Sequence, residues 1–431
     1  MSLRGRRWSL LLAAAAGAGG LVVTAALVPA ASAATSAPVP SAVQVRTPPN
    51  AKPGSGATLA AVSCVAPKAC GAAGDYVDSG GNDQVMVVAE SNGRWSRGRE
   101  LKLPKDAPRQ PSAAVNSISC TGPGACVAGG SYEVSGQFHG WIATESHGTW
   151  GRARKIGPPP AAPRFNFVIT AVACSVTGSC VAVGGYRDNH GFAQVFTVDQ
   201  VKGTWGKAAK LAMPANADAN AGALALGASC ALPGNCVTVG EYNDKAMVAR
   251  AFAATESGGT WHRAAEIALP AGASTSAPAT ATAVSCPAPG GCVAVGTFSD
   301  QLNNSQSFTL TENKGHWRHA SVFTKVPSNA AANPQPALNA VTCPIPGSCV
   351  AVGDYLTGGG ATAAFAAFRH GGHWLGGLHV KPPANAAPSP AILTGVSCTT
   401  TPFCAAVGFY DTKAAQNAAM GAALRLPAAS G

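Results

Sequence analysis

The sequence predicts an all-β fold. It reads as a seven-bladed β-propeller with four antiparallel strands and one disulfide per blade, and an N-terminal strand completing the last blade. Three observations lead there. Fourteen cysteines fall into seven pairs of identical spacing, a strand-length pattern repeats with the same period, and the last copy lacks a strand that a segment before the first copy can supply.

The cysteine pairs are Cys64/Cys70, Cys120/Cys126, Cys174/Cys180, Cys230/Cys236, Cys286/Cys292, Cys343/Cys349 and Cys398/Cys404. Successive first members lie 56, 54, 56, 56, 57 and 55 residues apart. So regular a period implies one supersecondary unit stacked repeatedly against itself. Five residues between two cysteines suit zinc poorly. Across an antiparallel hairpin, positions i and i+6 can face one another at disulfide distance. An even count behind an export-type leader therefore predicts one disulfide in each of the seven units.

Each copy reads as four short strands. Strand A is a small, β-branched run ending at the first cysteine, as in Ala340-Val341-Thr342-Cys343, and a Pro/Gly-containing turn follows. Strand B begins at the second cysteine, as in Cys349 to Tyr355. Strand C is an Ala/Val/Phe run such as Ala363 to Phe368, and a Gly-containing turn leads to strand D at a Trp. Nothing beyond the N-terminal region has a sustained 3.6-residue period. Four strands and no helix per unit describe a propeller blade, and a closed ring of blades leaves only short protected edges.

The copy ending near Leu424-Arg425-Leu426-Pro427 has no Trp-led strand D. Val43-Gln44-Val45-Arg46, ahead of the first strand A, matches Leu378-His379-Val380-Lys381, ahead of the seventh. The N-terminal segment is therefore expected to form the outer strand of blade 7. The propeller is expected over 42–427, between a short tail at 34–41 and a C-terminal tail at 428–431.

Residues 1–33 read as a signal peptide. Arg4, Arg6 and Arg7 precede the apolar run Leu10 to Val28, Pro29 breaks it, and Ala31-Ser32-Ala33 offers small residues for cleavage after Ala33. The competing reading is a retained membrane anchor, since the run is nearly long enough to span a bilayer. The chain carries a formal charge of +11 with only 11% charged residues, and no Lys/Arg run stands out. The basic stripe of a nucleic-acid binder is missing, so no nucleic-acid partner is expected.

Six tryptophans recur before strand D: Trp95, Trp150, Trp205, Trp261, Trp317 and Trp374. The turn Thr255-Glu256-Ser257-Gly258-Gly259-Thr260-Trp261 resembles a degenerate Asp-box, the Ser-x-Asp-x-Gly-x-Thr-Trp turn of sialidase-like propellers, although most copies lack the Asp. That resemblance implies a structural Trp, away from an active face. The repeat as a whole, Val-Ser-Cys…Cys-Val-Ala-Val-Gly-x-Tyr…Gly-x-Trp, also resembles a large group of secreted actinobacterial repeat proteins. This second resemblance implies export and a propeller, and brings no activity with it.

An aromatic follows the strand B glycine by two residues in every copy: Tyr76, Tyr132, Tyr186, Tyr242, Phe298, Tyr355 and Tyr410. Carboxylates cluster beside it, at Asp75, Asp78, Glu133, Asp188, Glu241, Asp244, Asp300, Asp354 and Asp411. Propeller topology sends these positions toward the face opposite the disulfides. The candidate ligand face is Tyr76, Asp78, Tyr132, Tyr186, Asp188, Tyr242, Asp244, Asp300, Tyr355 and Tyr410. Tyrosines beside carboxylates can stack on and hydrogen-bond a sugar. The competing reading has the rings filling wedges between blades with their hydroxyls at the rim. His316, His319, His370, His373 and His379 gather late in the chain and read as turn histidines rather than metal ligands.

Catalysis is disfavoured. The ten residues ending at each first cysteine, which should line the channel, contain no Asp, Glu, Lys, Arg or His. Such a channel supplies no general acid or base, nor the arginines of sialidase-type chemistry. The leading expectation is a secreted, monomeric, non-catalytic propeller that binds a glycan or extracellular protein, without cofactor or metal and without a membrane span after cleavage. The alternatives are a secreted carbohydrate-active enzyme using loop carboxylates, and a structural envelope protein.

Overall fold

The computed structural model describes residues 39–425 except 161, 163–165, 221 and 401. The expected leader (1–33), most of the N-terminal tail and the C-terminal tail (428–431) lie outside the described residues. Among the described residues there is no helix, hence none long and apolar enough to cross a membrane.

Seven separate antiparallel sheets form seven blades. In blade 1, strand A is Ala57–Ala66, strand B Ala69–Val77 and strand C Asp83–Ser91. Strand D is two short pieces, Arg94–Trp95 and Arg99–Glu100, both paired with strand C. The chain leaves the ladder between them where Ser96 bonds Ala89, its amide to the carbonyl and its hydroxyl to the amide. Blades 2 to 6 repeat this arrangement, so strand D is more broken than its sequence pattern suggests.

All seven cysteine pairs are disulfides across the A–B hairpin: Cys64–Cys70, Cys120–Cys126, Cys174–Cys180, Cys230–Cys236, Cys286–Cys292, Cys343–Cys349 and Cys398–Cys404. Their Cα–Cα separations are 3.9–4.1 Å.

Two details of the hairpin correct the sequence reading. First, strand B does not begin at the second cysteine. In six blades it begins one residue earlier, as at Asn235 before Cys236 and Phe403 before Cys404. In blade 5, strand A (Ala279–Ser285) stops before Cys286 and strand B (Val293–Ser299) starts after Cys292. Blade 5 alone has adjacent glycines in this turn, Gly290 and Gly291, and Pro287 and Pro289 supply no amide, so the ladder ends early there and the disulfide closes the hairpin beyond it.

Second, the disulfides are not simply features of one outer face. Cys70, Cys126, Cys180, Cys236, Cys292, Cys349 and Cys404 are at most 6% exposed, and each belongs to a different core cluster. The second cysteine faces the neighbouring sheet because it alternates in phase with the buried residues of strand B, as Cys236 does with Tyr242.

Blade 7 is closed as expected. Ala42–Gln44 pairs with Asn417–Arg425, in the register Ala42 to Ala422, Val43 to Gly421 and Gln44 to Met420. Leu378–His379 makes the equivalent pairing in blade 6. The segment joins from Pro40, whose carbonyl accepts from the Lys381 amide.

The seven A strands lie side by side as the inner ring, the last against the first. Each carries a bulge where one residue is skipped by the A–B ladder, as between Leu59 and Ala61 or between Ile169 and Ala171. The bulge explains the strand B glycine. At Gly74, Gly130, Gly184, Gly240, Gly296, Gly353 and Gly408 an added Cβ would strike the strand A carbonyl opposite.

The skipped residue ties neighbouring blades together. The side chains of Asn116, Thr170, Thr282, Asn339 and Thr394 donate to the next blade's carbonyls at Ile169, Ala225, Leu338, Leu393 and Leu59. A second tie uses the serine before the first cysteine. The hydroxyls of Ser63, Ser119, Ser229, Ser285 and Ser397 accept from the next blade's Cys amide. Thr394 and Ser397 carry both ties across the junction of blades 7 and 1, at 2.6 and 2.8 Å.

Burial follows the same plan. The core falls into seven clusters, each joining the facing sheets of two adjacent blades, and one unites Leu59, Tyr76 and Met86 of blade 1 with Ala405, Val407 and Ala419 of blade 7. The six tryptophans of strand D each pack against the cluster shared with the preceding blade. Much of this core is Ala and Val, which bury little apolar area per residue.

Candidate functional site

The tyrosines of the candidate ligand face are core residues. Tyr76, Tyr132, Tyr186, Tyr242, Tyr355 and Tyr410 are at most 5% exposed, so their rings present no face for a sugar to stack on. This corrects the ligand-face reading of the tyrosines. The aromatic alternates with glycine on strand B, and its ring enters the wedge between sheets while its hydroxyl reaches the rim. There the hydroxyl meets the loop that enters its blade. Tyr242 donates to Asn216 and Glu266, both at 2.9 Å, and Asn216 also donates to Glu266 at 2.7 Å. Tyr76, Asn50 and Glu100 repeat this triad. Tyr132 donates to Asp106, Tyr355 to Asn329 and Tyr410 to Asn385. Burial, then the adjacent carboxylate, holds the phenols of Tyr132 and Tyr242 above their usual range, so they stay neutral donors.

Blade 5 lacks both the hydroxyl and its partners. It has Phe298 in place of Tyr, Gly272 where the loops into blades 1, 2, 4, 6 and 7 have Asn or Asp, and Val322 where blades 1 and 4 have Glu. Hydroxyl and acceptors are lost together.

The aspartates of the candidate face hold their own turns. Asp244 accepts from the amides of Ala246 and Val248 and pairs with Arg250 at 2.7 Å. Asp78, Asp188 and Asp300 accept from the amides two and four residues on, and from Gln84, Gln194 and Gln306 six residues on. Three or more hydrogen bonds to each carboxylate keep all four below the usual aspartate range. They are turn clamps, with few lone pairs left for a ligand.

The structure brings two of these sets together at one cavity of about 460 Å³, at the loop end between blades 4 and 5. Arg250, held by Asp244 and by the Thr275 carbonyl, lines it with Glu266, held by Tyr242 and Asn216. Leu269 and Pro270 form apolar wall, and Ser274 and Thr275 add polar groups. Tyr242 and Asp244 thus position the lining from behind.

The channel is as uncharged as expected. A cavity of about 320 Å³ is lined by all seven A strands, through residues such as Ala61, Ser117, Thr170, Ala228, Thr282 and Thr394. Among the described residues, no group of three or more His, Cys, Asp or Glu is placed to hold a metal ion.

Sequence reasoning missed a ring of strand C residues five before each Trp: Glu90, Glu145, Gln200, Glu256, Glu312 and Arg369, with Leu424 in blade 7. The recurring Glu-Ser-x-Gly-x-Trp of blades 1, 2 and 4 was the available signal. Each residue pairs with its Trp across the C–D turn. Glu90, Glu256 and Glu312 are buried, and among the described residues one oxygen of Glu90 lacks a hydrogen-bond partner. Burial raises all of these carboxyls, and Glu256, with Asp199 close by, is pushed up to about 7.

No family model matches the chain, and no curated protein matches it in sequence. Among solved structures the chain is similar to a protein of unknown function from Dyadobacter fermentans, at 9% identity and TM-score 0.46 over 90% of this chain and 98% of that one. It is similar to the Hadza microbial sialidase Hz136, at 13% identity and TM-score 0.48 over 80% of this chain and 73% of that one. It is also similar to the fucose-specific lectin of Aleuria aurantia, at 12% identity and TM-score 0.40 over 78% of this chain and 99% of that one.

Proposed function

We propose that this protein is a secreted, non-catalytic binding propeller that takes a glycan in the loop-end cavity between blades 4 and 5. The observation that carries the reading is the preorganised pair Arg250 and Glu266, each fixed from behind by two partners beside an apolar wall. Opposite charges held rigidly in a cavity of this size suit the hydroxyls of one or two sugar rings better than a protein surface. Secretion is supported by the leader-like N-terminus and by seven disulfides, which belong to oxidising compartments.

A second reading, a carbohydrate-active enzyme, has one feature in its favour. Glu256, pushed up to about 7 by burial and by Asp199, is partly protonated at neutrality, as a general acid must be. Glu256 is 3% exposed, however, so a substrate has little access to it.

The test is a glycan array followed by titration calorimetry with wild type and Arg250→Gln. Glutamine already serves the same clamp in blades 1, 3 and 5, so the variant should fold. We expect glycan binding that weakens roughly tenfold or more when the charge-assisted bonds are lost. Unchanged binding by the variant would remove the cavity from the account. Turnover of the bound glycan, abolished by Glu256→Gln, would decide for the enzyme.

A further inference from the structure

The outer cleft between blades 5 and 6 is lined by cationic side chains and no carboxylate, whereas the clefts between blades 1 and 2 and between blades 2 and 3 each include glutamate. At the strand C position where four other blades carry Glu and blade 3 carries Gln, blade 6 carries Arg369. Its guanidinium is half-buried without a carboxylate partner: Nε donates to the Gly372 carbonyl at 3.0 Å and Nη2 to the Thr311 hydroxyl at 3.3 Å. A cleft of about 540 Å³ opens over it. Arg318, His319, Lys325 and His373 also line this cleft, and no carboxylate does.

A desolvated guanidinium without a counter-ion, among further cationic groups, gains most from a planar or tetrahedral oxyanion that can accept two of its N–H bonds. The remaining walls suit a sugar. Hydroxyls come from Thr309, Ser321 and Thr324, and the half-buried Trp374 indole is fixed edge-on against Phe323 at 5.8 Å. Aromatic walls of this kind pack well against a pyranose face.

We propose that this cleft is a second binding site, for an acidic saccharide whose carboxylate, sulfate or phosphate group is held by Arg369 with Arg318 and Lys325, and whose ring lies against Trp374. The saccharide half of the assignment rests on the glycan-binding function proposed above. The anion half stands on the cleft alone.

The experiment is calorimetry with a short hexuronic-acid oligosaccharide, its carboxyl-reduced neutral counterpart, and inorganic sulfate, at low and high salt. Arg369→Gln is the variant, because Gln200 fills the same position in blade 3, and an unchanged melting temperature checks that it folds. We expect the acidic oligosaccharide to bind, to weaken with salt, and to lose roughly tenfold or more in affinity in Arg369→Gln. Equal binding of the neutral oligosaccharide, or no effect of Arg369→Gln, would overturn the proposal. Sulfate binding as tightly as the oligosaccharide, with the same Arg369 dependence, would overturn its saccharide half. A neutral glycan lost in Arg250→Gln but indifferent to Arg369 would defeat this inference and leave the proposed function standing. No saccharide binding at either end would defeat both.

Discussion

The two ends of the propeller use their carboxylates in opposite ways. At the loop end, Asp78, Asp188, Asp244 and Asp300 are saturated by the amides and side chains of their own turns, and Glu100 and Glu266 complete tyrosine triads. At the disulfide end, Glu90 and Glu312 are buried, one Glu90 oxygen meets no donor among the described residues, and Glu256 lies near Asp199. Covalent staples hold the second end, hydrogen bonds the first. A propeller whose interfaces are mostly Ala and Val can carry unpaired buried carboxyls only where another term offsets them, and seven disulfides supply it at that end.

The largest expected effect comes from removing that term. Chain entropy gives each small disulfide loop roughly 2 kcal/mol, so the full set is comparable to the 5–15 kcal/mol, as an order of magnitude, that keeps ordinary domains folded. Reduction should therefore unfold the protein at temperatures where the oxidised form is intact, as followed by circular dichroism. The Cys230→Ala/Cys236→Ala pair should lose roughly 2 kcal/mol in denaturant titration. A reduced protein melting within a few degrees of the oxidised one would break the contrast between the ends.

A smaller effect sharpens the loop-end half. Tyr242→Phe removes the hydroxyl that Asn216 and Glu266 share, and should cost about 1 kcal/mol. Phe298→Tyr introduces a hydroxyl where Gly272 and Val322 offer no side-chain acceptor, and should also destabilise, by about 1–2 kcal/mol. The double variant Phe298→Tyr/Val322→Glu should recover part of that loss. Chemical denaturation of the four proteins compares them directly, and a stabilised Phe298→Tyr would contradict the triad's role.

Much of this was legible in the sequence. Cysteine spacing set blade number and disulfide pairing, and the match of Val43-Gln44-Val45 to Leu378-His379-Val380 located the closing strand. The spacing did not show that Cys236, Cys292 and Cys404 lie in the core, because burial depends on the phase of strand B, which starts a residue earlier or later than the cysteine. The partners of the tyrosine hydroxyls were less accessible still. For Tyr242 they are a loop asparagine 26 residues before it, at Asn216, and an acceptor 24 residues after it, at Glu266. One copy held a clue, since Phe298, Gly272 and Val322 change together, but blade 3 keeps Tyr186 with Ala161 and Lys210 at the partner positions. The blade-to-blade ties escaped notice because a bulge residue as varied as Asn116, Thr170 or Thr394 shows its role only once the skipped register is seen. The Arg369 cleft was obscured because each residue in it is ordinary alone, and only the Glu or Gln at the same place in five other blades makes the arginine unusual.

The contrast between buried, raised carboxyls and saturated, lowered ones has one consequence that a single measurement reads, the melting temperature against pH for wild type and for Glu256→Gln/Asp75→Asn. Burial raises Glu256 from 4.5 and Asp75 from 3.8, each to about 7, so both are protonated in the fold well above their unfolded values. Their contribution is full below those unfolded values and is lost as pH rises toward 7. The lowered carboxyls of the loop clamps act the other way, contributing above 3.8 and failing as pH falls below it. The account predicts greatest stability at about pH 4, a falling melting temperature from pH 5 to 8, and a shallower fall in the double variant. A wild-type melting temperature that rises from pH 5 to 8, or a variant that falls as steeply, would contradict it.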